Sequence, residues 1–211
     1  YSDDINVFLS DPAVEVMYVV TPTGTHCEVA MQCLRAGKHV LTTKPMDVST
    51  PACDAAIALA REKGLLLGVD FDERHRMSYL EQKATVDSGF FGRILSYNVN
   101  LYIRRPQSYY DENGGWRGTW ALDGGGSLCN QGVHEIDRAL LLLGMPRRVR
   151  ATIQTQAHRI EAEDAGVTEW EYEDGKVVRY ASTTNYPVGA WYCKIEISGT
   201  EGAYVHVSGG P

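Results

Sequence analysis

Three residues of this 211-residue chain combine a side chain and a spacing suited to proton transfer: Lys44, His134 and Asp137. Lys44 precedes Pro45, and a residue before proline is disfavoured in a helix, so Lys44 is expected to be extended at the end of a strand. His134 and Asp137 lie three residues apart on a predicted helix and therefore share a face. An imidazole with a reference pKa of about 6.5 suits proton transfer near neutral pH. The alternatives are that Lys44 is an ordinary surface lysine and that His134 and Asp137 only contact each other on the surface of a helix.

The first third of the chain has the pattern of a parallel α/β sheet, in which apolar strands alternate with helices. Right-handed crossovers bring the carboxyl ends of such strands to one edge, where open α/β sheets bind ligands. That edge is predicted to hold Thr21-Pro22, Thr43-Lys44-Pro45 and Asp70. The predicted elements are strand Glu15–Val20, helix 25–36 ended by Gly37, strand His39–Thr42, a helix capped by Thr50 with Pro51 at its first position and ended by Gly64, and strand Leu65–Val69.

After Asp70 the pattern changes to that of an α+β domain, so we predict two domains, residues 1–74 and 75–211. Apolar residues alternate with polar ones from Leu95 to Arg104, as in an antiparallel sheet with one covered face. The segment Gln107–Gly126 is rich in Gly, Tyr and Trp, and it is predicted to be a functional loop. The other predicted elements are helices 78–88 and 132–143, and strands 148–156, 166–172, 176–183, 191–198 and 203–207, with a hairpin turn at Glu173-Asp174-Gly175.

Composition narrows the possible partners. The net charge of −7, with basic residues scattered along the chain, argues against duplex nucleic acid and anionic membranes. No apolar run reaches the ~18–20 residues that span a bilayer, and the acidic first residues are unlike a signal peptide, so a cytoplasmic location is expected. The five widely spaced cysteines contain no Cys-x-x-Cys pair and are interpreted as buried free thiols, with no metal site.

Three motifs in order resemble the signatures of the glucose–fructose oxidoreductase / inositol dehydrogenase / MocA family. They are Thr21-Pro22-Thr23-Gly24-Thr25-His26, then Ala36 to Pro45, and then the stretch from Gly124-Gly125-Gly126 through His134 to Asp137. Shorter similarities at Trp116–Trp120, Ile160–Asp164 and Ile197–Gly202 extend the resemblance over nearly the whole chain. The family pairs an N-terminal Rossmann domain that binds NAD or NADP with a C-terminal domain whose open sheet often joins subunits.

The chain departs from the family pattern in three ways. It begins without the strand and glycine-rich turn that hold a pyrophosphate, so it resembles a fragment, and weak binding of NAD(H) or NADP(H) by these residues alone is expected. The usual Glu-Lys-Pro is Thr43-Lys44-Pro45, which loses a carboxylate. The position four before the histidine is Asn130 where relatives similar to inositol dehydrogenase have Asp. An amide can orient a hydroxyl group but cannot titrate.

The resemblance implies an oxidoreductase that moves a hydride between a nicotinamide and a hydroxyl carbon of a sugar, cyclitol or sugar derivative. Lys44 would position the substrate and cofactor, and His134 would transfer the proton. Asn130, Asp137, Trp116 and Arg117 are candidates for substrate binding. Candidates for cofactor binding are Thr21, Pro22, Thr23, His26, Lys44 and Pro45. The resemblance further implies a tight turn that aims Lys44 into the cleft, so the Lys44–Pro45 bond is predicted to be cis.

Several alternatives stay open. His26 could be structural rather than line the cofactor, and Trp116 and Arg117 could simply pack their loop against the second domain. Arg104 and Arg105 fit a solvated strand end better than an anion site. On the same fold, a catalytically silent sensor is one rival function, against which the retained Lys44 and His134 argue. An NAD-dependent glycoside hydrolase is another, but its expected Tyr-Pro-Thr-His stretch is absent after the glycines.

Overall fold

A computed structural model describes residues 1–187 and 191–210. The chain forms two compact units, one of residues 1–71 with 120–124 and one of the remaining described residues. The first unit contains α1 (Ile5–Ser10), β1 (Val16–Val19), α2 (His26–Arg35), β2 (His39–Thr43), α3 (Thr50–Lys63) and β3 (Leu67–Asp70). Its strands pair in the order β1-β2-β3, all parallel. The predicted parallel α/β sheet is therefore confirmed.

Two element boundaries of the first unit, the cap of α3 and the start of β3, differ from the prediction. Ser49, and not Thr50, caps α3, because the Ser49 hydroxyl accepts a hydrogen bond from the Ala52 amide at 3.3 Å. Gly64 ends α3 in the left-handed conformation as predicted. Strand β3 begins two residues later than predicted, because the Leu65 amide still bonds to the Ala60 carbonyl at 2.9 Å and closes the helix end.

The second unit is built on a six-stranded sheet in the order β5-β6-β7-β4-β8-β9. Only β4 and β7 pair in parallel, and every other neighbouring pair is antiparallel. The predicted fold class, a partial Rossmann domain followed by an α+β domain with a largely antiparallel sheet, is confirmed. The strands are β4 (Ile94–Ile103), β5 (Arg148–Gln154), β6 (Ala165–Glu171), β7 (Val177–Thr183), β8 (Trp191–Gly199) and β9 (Ala203–Gly209).

One face of this sheet forms the core of the second unit. The helices are α4 (Met77–Asp87), the short α5 (Gln107–Asp111) and α6 (Val133–Leu143). Tyr97, Val99 and Leu101 of β4 are buried, and Ile136 and Leu140 of α6 pack against their cluster. The opposite face carries the half-buried polar residues that alternate with them. Among the described residues, no helix is long and apolar enough to cross a membrane.

The region predicted as one loop followed by a helix has more structure than expected. Gln107–Gly126 contains α5 and a 3-10 turn at Asn113–Gly115. A π-helical turn, Ser127–Gln131, precedes α6. Such turns within helical segments are frequent at functional sites. Asn130 is therefore on this turn, directly before the helix that carries His134.

Candidate active site

In the first unit, the carboxyl ends of β1 and β2 are joined by His26. This side chain is only 1% exposed, and its Nε2 lies 2.7 Å from the Thr21 carbonyl oxygen while its Nδ1 lies 2.8 Å from the Pro45 carbonyl oxygen. The Lys44–Pro45 peptide bond is cis, as predicted. His26 therefore holds the loop after β1 against the turn that carries the half-buried Lys44. Both ring nitrogens of His26 are engaged by backbone carbonyl oxygens. Any influence of His26 on a cofactor therefore acts through the loops that it positions.

The three loop residues predicted to bind cofactor differ in exposure. Thr21 is exposed, Pro22 is half-buried and Thr23 is only 2% exposed. The Thr25 hydroxyl donates to the Pro22 carbonyl at 2.7 Å and lies 2.9 Å from the Thr21 hydroxyl. The loop therefore presents the Thr21 side chain to solvent and uses Thr25 to keep its shape.

The residues of this edge fit the nicotinamide and ribose portion of a dinucleotide, but not its pyrophosphate. A helix N-terminus binds phosphate through free backbone amides. The Asp47 carboxylate already accepts from the Cys27 amide in the first turn of α2, at 2.9 Å, and the Ser49 hydroxyl caps α3. The edge also carries the Thr21 hydroxyl group and the half-buried Lys44 side chain, whose chemistry suits ribose hydroxyls and a carboxamide.

Residues 120–124 belong to the first unit, which the sequence did not indicate. The Leu122 carbonyl accepts a hydrogen bond from the Gly24 amide at 2.9 Å. A Cβ at Gly24 would overlap the Ala121 carbonyl oxygen, and one at Gly124 would overlap the Val48 side chain. The close approach of the 120–124 backbone therefore explains Gly24, and a positive φ of 76° beside the Val48 side chain explains Gly124.

In the second unit, Glu163 organises the turn that carries Asn130. This side chain is 3% exposed, and its Oε1 accepts from the amides of Gly126 at 3.0 Å and Leu128 at 2.8 Å. The Ser127 amide donates to the Glu163 carbonyl at 3.0 Å. Sequence reasoning did not assign Glu163 a role, although it lies in the Ile160–Asp164 stretch noted above. A buried carboxylate accepting two amide bonds makes Glu163 a positioning residue for the turn.

His134 lies on the first turn of α6 and lines a cavity of about 480 Å³ in the second unit. The Asp72 Oδ1 atom lies 4.0 Å from His134 Nδ1. Asp137, expected on the same face, instead forms a bidentate ion pair with Arg74. The cavity wall also includes Glu135, whose pKa is raised by burial even though neighbouring Arg138 opposes the shift. An imidazole beside a cavity of this size can exchange a proton with a small ligand.

Asn130, Trp116 and Arg117 lie in a second group of side chains of this unit. The Asn130 amide oxygen accepts from Gln131 Nε2 at 3.0 Å. The Arg117 guanidinium carbon is 4.8 Å from the centre of the Trp116 ring and 4.7 Å from that of Tyr109. The sequence did not indicate a role in the site for Gln131 or Tyr109. A glutamine or a tyrosine marks a site only through the groups that surround it, here the Gln131–Tyr109 hydrogen bond and the nearby Arg117.

Two family models match the two units of this fold in the order in which they occur along the chain. A family model described as an oxidoreductase family with an NAD-binding Rossmann fold matches residues 1–71, and one for the GFO/IDH/MocA C-terminal domain matches residues 79–205. The chain belongs to the GFO/IDH/MocA family.

Individual relatives agree with this assignment. The chain is 34% identical to scyllo-inositol 2-dehydrogenase (NADP(+)) IolW of Bacillus subtilis over 76% of its length and 44% of the relative's. It is 25% identical to levoglucosan dehydrogenase of Pseudarthrobacter phenanthrenivorans, over 97% of this chain and 58% of the relative. The crystal structure of the WlbA dehydrogenase from Bordetella pertussis in complex with NADH and UDP-GlcNAcA has a TM-score of 0.93 at 30% identity and covers 98% of this chain and 61% of that one. The chain thus spans about half the length of the relatives it matches.

Proposed function

We propose that the protein is an NAD- or NADP-dependent oxidoreductase that oxidises a hydroxyl carbon of a sugar, cyclitol or sugar derivative. The observation that carries the proposal is His134 at the wall of a 480 Å³ cavity, on a helix that the family model for the C-terminal domain covers. The Lys44 turn at the carboxyl edge of a parallel sheet is the second support. The relatives named above are a scyllo-inositol 2-dehydrogenase, a levoglucosan dehydrogenase and a dehydrogenase whose crystal structure contains NADH and UDP-GlcNAcA.

In this proposal His134 accepts the proton of the substrate hydroxyl. An imidazole must be neutral to act as this base, and a carboxylate 4.0 Å from Nδ1, that of Asp72, stabilises the imidazolium that forms. Asn130, Trp116 and Arg117 contact the substrate, while Asp137 holds α6 through Arg74. A nicotinamide held at the Thr21 and Lys44 edge would supply the acceptor for the hydride that leaves the same carbon.

Lys44 orients the hydroxyl group and the cofactor ribose through its ammonium group. Thr21 offers a hydroxyl group to the cofactor, and Pro22, Thr23 and Pro45 shape the surface on which the nicotinamide end would lie. His26 maintains that surface by its contacts with the carbonyl oxygens of Thr21 and Pro45. The first unit would thus serve as part of an NAD(P)-binding domain and the second as the substrate domain.

The open face of the six-stranded sheet is the proposed surface for homo-oligomer formation. On that face Tyr102 stacks on Tyr192 with ring centres 5.9 Å apart, and apolar Val205 and Val207 of the edge strand are more than half exposed. A cytoplasmic location is also proposed, because all five cysteines are free thiols. Cys27 and Cys53 form no disulfide, and the Cys27 thiol instead donates a hydrogen bond to Cys53 Sγ at 4.0 Å. Reduced thiols are typical of the cytosol.

The proposed activity is tested by mixing the protein with NAD⁺ or NADP⁺ and a panel of cyclitols, hexoses and sugar acids while recording the absorbance of the reduced nicotinamide. At least one substrate should yield reduced cofactor, and Lys44→Met should raise KM for both cofactor and substrate. Lys63→Met, which removes an exposed lysine at the end of α3, is the matched control and should behave as wild type. Absence of reduced cofactor across the panel, together with tight sugar binding, would instead support a sensor.

A further inference from the structure

Two guanidinium groups of the second unit contact the same aromatic ring. The guanidinium carbons of Arg105 and Arg117 each lie 4.7 Å from the centre of the Tyr109 ring. Within residues 1–187 and 191–210, neither arginine forms an ion pair with a carboxylate. Arg105 Nε and Arg117 Nη1 are buried from solvent without a hydrogen-bond acceptor among those residues.

This arrangement is unfavourable unless something else supplies the acceptors. A buried polar group without a partner has lost its hydration and gained nothing in return, and the penalty is larger when the group is charged. Two positive charges beside one ring also repel each other, and the contacts with the ring offset this only in part. An anion with two or more oxygens would satisfy both N–H groups and both charges, since guanidinium groups bind carboxylates and phosphates through paired hydrogen bonds.

Arg105 is held firmly enough to act as a binding group. Its Nη2 donates to the Gln131 side-chain oxygen at 2.8 Å, and Gln131 Nε2 donates to the Tyr109 hydroxyl at 2.9 Å. On the backbone side, the Arg105 carbonyl oxygen lies 2.8 Å from His158 Nε2. The other ring nitrogen of His158 lies 3.1 Å from the carboxylate of fully buried Asp164. These contacts fix the side chain and the backbone of Arg105 in advance of any ligand.

The same glutamine connects this group to the candidate proton acceptor. Gln131 lines the cavity that His134 lines, three residues further along the chain. A ligand with its reacting hydroxyl at His134 and a charged substituent beside Gln131 would therefore place that charge next to Arg105. This link gives Arg105, and through the shared Tyr109 ring Arg117, a role in substrate recognition.

We propose, on the basis of the function proposed above, that the substrate is an anionic sugar derivative whose carboxylate or phosphoryl oxygens are bound by Arg105 and Arg117. Tyr109 and Gln131 keep the two guanidinium groups in place. Arg104, the exposed neighbour on the same strand end, takes no part. The protein would thus prefer a charged sugar to its neutral counterpart.

The test compares binding of matched ligands by titration calorimetry, which does not depend on hydride transfer. The probes are hexoses, the corresponding uronic acids and the corresponding hexose 6-phosphates. At least one anionic class should bind ~10-fold or more tightly than its neutral hexose, and Arg105→Met or Arg117→Met should reduce that ratio ~10-fold or more. Arg105→Lys should retain part of the preference, and Arg104→Gln should keep all of it.

The binding preferences measured in this test either support or overturn the proposed anion site. A preference for uronic acids identifies a carboxylate, and a preference for the phosphates identifies a phosphoryl group. Equal binding of neutral and anionic sugars, or a preference that survives both methionine variants, overturns the proposal. If Arg105→Met does not fold, Arg117→Met and Arg105→Lys still decide the question. Failure of the dehydrogenase proposal would appear separately, as anion-dependent binding without reduction of NAD⁺ or NADP⁺.

Discussion

Arg74 and Asp137 form a bidentate ion pair, although 63 positions of sequence separate them. Arg74 Nε donates to Asp137 Oδ2 at 2.8 Å, and Arg74 Nη2 donates to Asp137 Oδ1 at 2.6 Å. The pair joins the segment before α4 to the helix that carries His134. Asp137 is thereby occupied by a guanidinium group, and the carboxylate that lies 4.0 Å from the His134 ring belongs to Asp72.

The Arg74–Asp137 pair should contribute measurably to stability. Arg74→Met and Asp137→Asn are each expected to lower the free energy of unfolding by about 1 kcal/mol, because paired hydrogen bonds strengthen the contact while solvent screens the partly exposed Arg74. The double variant should lose less than the sum of the two, as measured by urea unfolding in a double-mutant cycle. Additive losses would show that the two residues act independently. The exposed pair Lys83–Asp87 provides the reference cycle, with a smaller coupling expected.

His134→Asn should reduce kcat/KM for oxidation by about 10²- to 10⁴-fold, the range for loss of a general base, while cofactor affinity changes little. His75→Asn removes an exposed histidine of the same unit and serves as the control. Initial rates and a cofactor titration measure the two effects. Turnover of His134→Asn near the wild-type value would assign the proton to another group.

Asp72→Asn tests whether the neighbouring carboxylate assists His134. A negative charge 4.0 Å from the ring stabilises the positive charge that forms when His134 accepts the proton, so its removal should lower kcat/KM at low salt by roughly 2- to 5-fold. The loss should shrink at high ionic strength, because the Asp72 side chain is mostly exposed and solvent ions screen the charge. An unchanged kcat/KM at low salt would contradict the assignment of Asp72.

Asp164→Asn should destabilise the second unit at neutral pH. Burial raises the pKa of the Asp164 carboxyl, but hydrogen bonds from the amides of Ala157, Gln156 and His158 outweigh it and hold that pKa below its usual range. The resulting stability is present above the unfolded-state pKa of about 3.9 and is lost as pH falls through the lowered folded-state pKa. Urea unfolding should show a loss of roughly 1–3 kcal/mol at pH 7 that narrows in acid. A loss that is equal at pH 7 and pH 3 would refute the ionised carboxylate.

Gly126→Ala should destabilise the turn before α6. A Cβ at this position would overlap the carbonyl oxygen of Glu163, which is backbone and cannot move aside as a side chain could. Gly68→Ala is the matched control, since its Cβ would lie 3.2 Å from the flexible end of Leu41. Thermal unfolding should show a cost of about 1–3 kcal/mol or more for Gly126→Ala and a smaller one for the control. Equal melting temperatures would show that the turn can relax.

The sequence alone determined the features that depend on local spacing. Alternation of apolar and polar residues from Leu95 to Arg104 predicted β4, because side chains of a strand point to opposite faces in turn. Gly37 and Gly64 predicted two helix ends, because glycine adopts positive φ at little cost. The ordered motifs around Lys44 and His134 were long enough to indicate the family.

Only the tertiary structure decided which distant groups meet. The chain pattern could not show that residues 120–124 join the first unit, or that β4 pairs in parallel with β7. Spacing on a helix predicted that Asp137 and His134 share a face. In the fold Asp137 instead binds Arg74, whose planar guanidinium offers two hydrogen bonds to one carboxylate. Arg105 and Arg117 likewise become a candidate anion site only because folding places both beside Tyr109. Periodicity along a chain fixes directions of side chains, whereas charge pairing and burial depend on groups brought together from far along it.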